Sequence, residues 1–258
     1  MTTVAGPAGP LRVDDAGAGE PAVLLVHGLA GRLEWWAQAA AHLRARHRAV
    51  AFDLHGHGES PAAPGAAFTV EAFAADVLAV ADALGLGRIV LVGHSLGASV
   101  ALAAAARAPG RVAGLVLVDA AGAFRDAPPG ALEQFLDALR SPDYPGVVRE
   151  AFLANLDRAA PATRATVLAG LDATPRATVT GAYESLLRWD PYPALAAYGG
   201  PRLLVVDAGN ESTFSLHAQV PSLPRVALGG VSHWLPLDHP QEFHDILDRF
   251  LAAGAAHG

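Results

Sequence analysis

The chain has 258 residues, enough for one large domain or two small ones. Its residues are 52% hydrophobic and 17% charged, so apolar burial can offset the entropy of ordering, and a disordered chain is excluded. A formal net charge of −7 lacks the basic footprint that nucleic acid or an anionic membrane requires, and the absence of cysteine removes disulfides, thiolate metal sites and a cysteine nucleophile. The first ten residues, MTTVAGPAGP, have no basic region followed by an apolar core, so no signal peptide is expected and the chain reads as soluble and cytoplasmic.

In chain order, short apolar runs alternate with helical patterns. Val23-Leu24-Leu25-Val26 has the length of a strand. Leu33 to His47 places Trp35, Trp36, Ala39 and Leu43 at helical spacing, and Ala49-Val50-Ala51-Phe52 is a second strand. Residues 54–66 are rich in Gly, Pro and His and read as a loop. A helix is expected from Val70 to Leu84, a strand at Ile89–Val92, a helix from Leu96 to Arg107 and a strand at Val112–Val118. Residues 89–106 approach the length of a bilayer span, but Gly93-His94-Ser95-Leu96-Gly97 breaks them into strand, turn and helix.

From 121 to about 200 no strand candidate occurs. Helical pieces at Leu132–Leu139, Val147–Leu156 and Thr163–Leu171 are punctuated by prolines. The strand–helix rhythm resumes with Leu203–Val206 and Arg225–Leu228. It ends in an amphipathic helix from Gln241 to Leu251, with Phe243, Ile246, Leu247 and Phe250 on one face. Unbroken apolar strands separated by helices predict an α/β fold around a mostly parallel central sheet buried on both faces. The division expected is a core domain of residues 1–120 and 201–258, with a helical cap over 121–200.

The chemistry concentrates in a few loops. Gly93 to Gly97 fits G-x-S-x-G between a predicted strand and a predicted helix, the context in which that motif lifts a nucleophilic serine above the sheet edge. There Ser95 is the candidate nucleophile, and the backbone N–H of Leu96, at the helix start, points toward a developing oxyanion. The glycine-rich turn His27-Gly28-Leu29-Ala30-Gly31 follows the first strong strand and makes Leu29 the second oxyanion donor, with the His27 ring holding the turn. His233, after the last strand and before the final helix, is the candidate base. His55 and His57 form an H-x-H beside Asp53, but no further ligands follow at metal spacing, so no metal is expected.

Taken together, these motifs resemble the α/β-hydrolase fold, in the branch with a helical cap after the sixth core strand. His27-Gly28 resembles the family's oxyanion loop, and Asp53 to Ser60 its D-x-x-G-x-G-x-S loop. Gly93 to Gly97 resembles its elbow, and Ser232-His233-Trp234 followed by Pro240 its histidine loop and final helix. The resemblance implies a triad acid between serine and histidine in chain order. Glu211, just after the strand Leu203–Val206, ranks first, ahead of Asp119 and Asp207; the family's strict acid position falls near Asn210.

A serine at the elbow, where relatives that open epoxides or displace halide carry aspartate, implies acyl transfer to water on an ester, lactone or thioester. Carbon–carbon bond hydrolysis or a ligand-binding role on the same fold stay open as alternatives. The cap is expected to set substrate choice, with Tyr183 and Trp189, beside Trp234, as candidate pocket residues. Its arginines form no cluster that reads as a phosphate clamp, which points to a small, neutral substrate. No cofactor and no macromolecular partner are implied, and the chain is expected to be a monomer or homodimer.

Overall fold

The computed structural model describes residues 1–255. An N-terminal hairpin of β1 (Thr2–Gly6) and β2 (Gly9–Ala16) leads into β3 (Ala22–Val26). A 3-10 turn (Leu33–Trp36) and α1 (Ala37–Leu43) precede β4 (Ala49–Phe52). Then come α2 (Val70–Ala83), β5 (Ile89–His94), α3 (Leu96–Arg107) and β6 (Val112–Val118). Five helices follow: α4 (Ala131–Arg140), α5 (Tyr144–Leu153), α6 (Pro161–Ala173), α7 (Arg176–Arg188) and α8 (Pro191–Ala197). The chain returns to the sheet at β7 (Arg202–Asp207), and after α9 (Leu216–Gln219) adds β8 (Arg225–Leu228), α10 (Leu235–Asp238) and α11 (Pro240–Ala255).

The eight strands form one sheet in the order β1-β2-β4-β3-β5-β6-β7-β8, in which β2 pairs antiparallel with both β1 and β4 and every other pairing is parallel. The continuous apolar runs have a direct cause. In β3, Leu24 and Val26 enter the core on one face while Val23 and Leu25 enter the core on the other. The first face is covered by α2 and α3, and the second by Leu33, Trp36, Phe243, Ile246 and Leu247 of α1's approach and α11. Each such fully buried aliphatic side chain contributes roughly 1.5–3 kcal/mol.

Two elements differ from the sequence reading. The β1–β2 hairpin alternates buried Leu11 and Val13 with the more exposed Arg12 and Asp14, so it offers no continuous apolar run to recognise. The helix expected over Leu33–His47 is instead a 3-10 turn followed by two turns of α-helix, ending where the N–H groups of Arg46 and His47 both turn back to the carbonyl of Leu43.

The five helices between β6 and β7 do not have a core of their own. Leu136 and Leu139 of α4, Val148 and Phe152 of α5, Val167 of α6 and Val179 of α7 are buried in one cluster with α2, α3 and the sheet. Five of the buried polar side chains share one edge of the sheet. His27, Asp53, His94, Asp119 and Asp207 are all buried, and each stands at or just beyond the C-terminal end of a parallel strand, β3 to β7 in turn. In open α/β sheets that edge is where ligands bind.

Candidate active site

Ser95 lies between β5 and α3 with φ of 53°, in the left-handed region that L residues rarely occupy. Its N–H is held by the carbonyl of Val118 at 2.9 Å. The turn closes only because its flanks are glycine: a Cβ on Gly93 would collide with the Gly97 carbonyl, and one on Gly97 with the backbone of Val26 and His27. Among the described residues the other non-glycine positions with positive φ are Ala30 (57°) and Asp119 (44°), in the turns after β3 and β6. Strain is thus confined to three adjacent turns on the C-terminal edge of the sheet, where functional geometry is commonly held.

Ser95 and His233 line the same narrow cleft of about 40 Å³, together with Leu29, His94, Phe152, Asn155 and Trp234. His233 donates its Nδ1–H to Asp119 Oδ2 at 2.6 Å. The other carboxylate oxygen of Asp119 accepts a hydrogen bond from the side-chain amide of Asn210 at 3.0 Å. Burial works against the Asp119 charge, but the bond to His233, the attraction of its ring and the Asn210 amide outweigh it, so the carboxyl lies below its ordinary value.

Two further contacts fix the histidine loop. His94 donates its Nε2–H to the His233 carbonyl at 2.8 Å, with the two rings 4.7 Å apart. The His233 N–H reaches the Asn155 carbonyl at 3.4 Å. Burial, and secondarily repulsion from His233, push the His94 imidazole down to about 3, so it is neutral and its free nitrogen is an acceptor. Leu29 reaches the cleft on a turn pressed against the elbow: a Cβ on Gly28 would stand 2.8 Å from His94 Nδ1. Leu96 opens α3, so its N–H belongs to the first turn, where no carbonyl of the helix can accept it.

His27 accepts the Leu54 N–H at Nε2 (3.1 Å), so its Nδ1–H donates to the Gly28 carbonyl (2.8 Å). Both nitrogens are engaged by loop backbone, and the ring ties the turn after β3 to the turn after β4. The carboxylate of Asp53 takes the N–H groups of Leu33 and Glu59. His55 is buried against Asp76, with Nδ1 2.6 Å from the carboxylate. No group of three or more His, Cys, Asp or Glu able to hold a metal occurs among the described residues, nor does any helix long and apolar enough to cross a membrane.

Of the three carboxylates that the sequence offers as the acid, Asp119 faces His233, and Glu211, ranked first there, does not. The reason lies in the turn after β7. The Asn210 N–H bonds to the Asp207 carbonyl at 3.0 Å, and the Asn210 side-chain oxygen accepts the Ser212 N–H at 3.0 Å. That turn directs Asn210 inward, onto Asp119, and leaves Glu211 exposed. Asp207 is also unavailable to the histidine, because Arg158 grips both its oxygens.

The pocket residues also separate. Trp234 lines the cleft, buried, with its ring 5.9 Å from that of Phe152. Tyr183 is not in the cleft wall; it stands behind Phe152, edge-on at 6.4 Å, and edge-on to Phe135 at 5.4 Å. Burial raises its phenol above the ordinary value. Trp189 lies elsewhere, in a groove with Phe68, Thr69, Ser185 and Arg188, because it follows the C-terminus of α7 on the α2 side. Phe152 and Asn155 take the places expected of Tyr183 and Trp189. The sequence offered only Phe152's aromatic character as a signal, and none for Asn155.

Comparison with known proteins agrees with this architecture. The family model described as alpha/beta hydrolase fold matches residues 21–226. The lipase LipV of Mycobacterium tuberculosis is 40% identical over 141 residues, 54% of this chain and 48% of that protein. The sn-1-specific diacylglycerol lipase ABHD11 of Mus musculus is 29% identical over 261 residues, covering 92% of this chain and 83% of that one. The solved structure of a thermophilic esterase from Thermogutta terrifontis, with malate bound, superposes with a TM-score of 0.82 at 27% identity, over 98% of both chains. The chain spans less than two fifths of the length of other curated relatives it matches, 38% of one and 32% of another. With some four fifths of its length matched by the family model, and with its strand order and elbow as described, the chain belongs to the alpha/beta hydrolase fold family.

Proposed function

We propose that the protein is a serine hydrolase that cleaves carboxylic esters of small, largely neutral substrates through an acyl-enzyme. The observation that carries this reading is the joint placement of Ser95, on its left-handed turn, in one cleft with His233, whose Nδ1–H is bonded to Asp119 at 2.6 Å. The bond to Asp119 fixes the histidine tautomer: with the proton on Nδ1, Nε2 carries the lone pair that takes the Ser95 hydroxyl proton.

In the reaction, Ser95 Oγ forms a bond to the acyl carbon as His233 Nε2 accepts its proton. Asp119 stabilises the imidazolium that results. The Leu29 and Leu96 N–H groups donate to the oxyanion. His233 then gives its proton to the departing alkoxide, releasing the alcohol and leaving an ester on Ser95. Water, deprotonated by the same nitrogen, attacks that ester; the acid leaves and Ser95 regains its proton. The helices between β6 and β7 act as the cap, since Phe152 of α5 and Asn155 just after it close the cleft from above.

A narrow cleft, about 40 Å³ in volume and bounded by Phe152 and Trp234, suits a short acyl group. The test is the hydrolysis rate of p-nitrophenyl esters from acetate to decanoate, with Ser95→Ala as the blank. The expected result is an optimum among the short chains and a rate that vanishes in the variant. A rate equal to that of Ser95→Ala across the series would overturn the reading.

A further inference from the structure

We propose that Arg158, on the loop between α5 and α6, is a positioning residue for the Asp119–His233 pair, so that the helical cap assembles the acid–base half of the site as well as covering it. The inference deepens the serine-hydrolase reading and rests on it.

A continuous set of contacts runs from Arg158 to the histidine. Its guanidinium grips the Asp207 carboxylate with both terminal nitrogens, Nη1 to Oδ1 at 3.0 Å and Nη2 to Oδ2. Asp207 is 3% exposed, so this carboxylate has little water to turn to if its partner is removed. It organises the turn behind it: Oδ1 accepts the Gly209 N–H at 2.9 Å, and the Asp207 carbonyl accepts the Asn210 N–H at 3.0 Å. That turn aims the Asn210 amide at Asp119 Oδ1, which leaves Oδ2 for His233. The same short stretch touches the pair from its other end, where the Asn155 carbonyl accepts the His233 N–H. The stretch is itself anchored by Arg164, whose Nη2 donates to the Leu156 carbonyl at 2.7 Å.

Removing the guanidinium leaves a buried carboxylate beside Asn210. The Gly209 N–H is then the donor left on that carboxylate, and the turn that carries the Asn210 amide to Asp119 loses its anchor. Losing that amide frees the Asp119 carboxylate to rotate away from the 2.6 Å contact. The titratable groups facing His233 are Asp119, from the turn after β6, and His94, from the end of β5, and the latter is neutral. The imidazolium therefore depends on Asp119 alone for an opposite charge. A residue that merely fastened the cap would alter stability and KM but not the protonation of His233.

The experiment compares Arg158→Ala, Arg158→Lys, Asn210→Ala and the Arg158→Ala/Asn210→Ala double variant in the full chain. It reads kcat and KM for a p-nitrophenyl ester, the acid limb of the kcat/KM profile and the titration of the His233 ring by proton NMR. We expect Arg158→Ala to lower kcat on the order of 10- to 100-fold, with a smaller change in KM. The His233 midpoint should move to lower pH, and Arg158→Lys, which keeps the charge, should recover part of both effects. Asn210→Ala should reproduce the shift, and the double variant should be no worse than either single one. An unchanged His233 midpoint in Arg158→Ala, or in Asn210→Ala should the arginine variant not fold, overturns the proposal, as does a loss confined to KM or to melting temperature. The NMR titration needs no turnover. A shifted midpoint in a protein that hydrolyses no ester would sink the hydrolase reading and keep the positioning; a Ser95-dependent esterase with an unmoved midpoint would do the reverse.

Discussion

Asp119 and His233, 114 residues apart in the chain, meet at 2.6 Å because the turn after β6 and the loop before α10 converge on the same corner of the sheet. If this is the working acid, Asp119→Asn should leave the fold intact and cost about 10⁴ in kcat, since an amide favours the wrong tautomer of the histidine. Glu211→Gln, at an exposed position, should change kcat by less than about twofold, as surface substitutions do. Steady-state kinetics of the two variants side by side decide the matter, and a loss in Glu211→Gln alone would reverse the assignment.

His94 carries a prediction about acid stability. Folded, its imidazole takes up a proton only at about pH 3; in the unfolded chain it does so near its ordinary value of about 6.5. Between those values the unfolded state binds more protons, so stability falls as pH falls. Replacing the ring removes that dependence. Gln places an amide nitrogen near Nε2 and can keep the bond to the His233 carbonyl. Urea unfolding of His94→Gln between pH 6 and pH 4 should therefore show a slope shallower than wild type by up to about 1.4 kcal/mol per pH unit. Parallel curves for the two proteins would refute it.

The Ser95 turn predicts a trade between strain and activity. Relief of a left-handed φ is worth about 1–3 kcal/mol, against which glycine costs about 0.4–1 kcal/mol in unfolded-state entropy. Ser95→Gly should thus be inactive and more stable than Ser95→Ala by about 1 kcal/mol. Thermal or denaturant melts of the two variants measure the difference; equal stability would mean the turn stores no strain.

Phe152 sets the ceiling of the cleft. Its ring is buried against Trp234 and, edge-on, Tyr183. Phe152→Ala should destabilise the protein by about 3–5 kcal/mol and move the ester optimum to longer acyl chains. A chain-length profile unchanged in that variant would place the acyl group elsewhere.

The parallel sheet was legible in the sequence because strands such as Val23–Val26 face a core on both sides and leave unbroken apolar runs. The elbow was legible because steric closure demands glycine at positions 93 and 97. The acid was not. Which of Glu211, Asp119 and Asp207 reaches His233 depends on side-chain partners far apart in the chain, the Asn210 amide and the Arg158 guanidinium, and no local pattern encodes them. The cleft wall was hidden for the same reason. Tyr183 and Trp189 are as aromatic as Phe152, and only the docking of α5 and α7 decides which ring faces Ser95.

The shared core beneath the five helices bears on how this scaffold could be re-engineered. Cutting out residues between β6 and β7, or exchanging them for another protein's helices, would uncover the apolar flank of α2 and α3, against which α7 and α8 pack. Lid transplantation is therefore not a modular operation here. A graft must bring matching buried side chains, or the recipient will aggregate before its new specificity can be assayed.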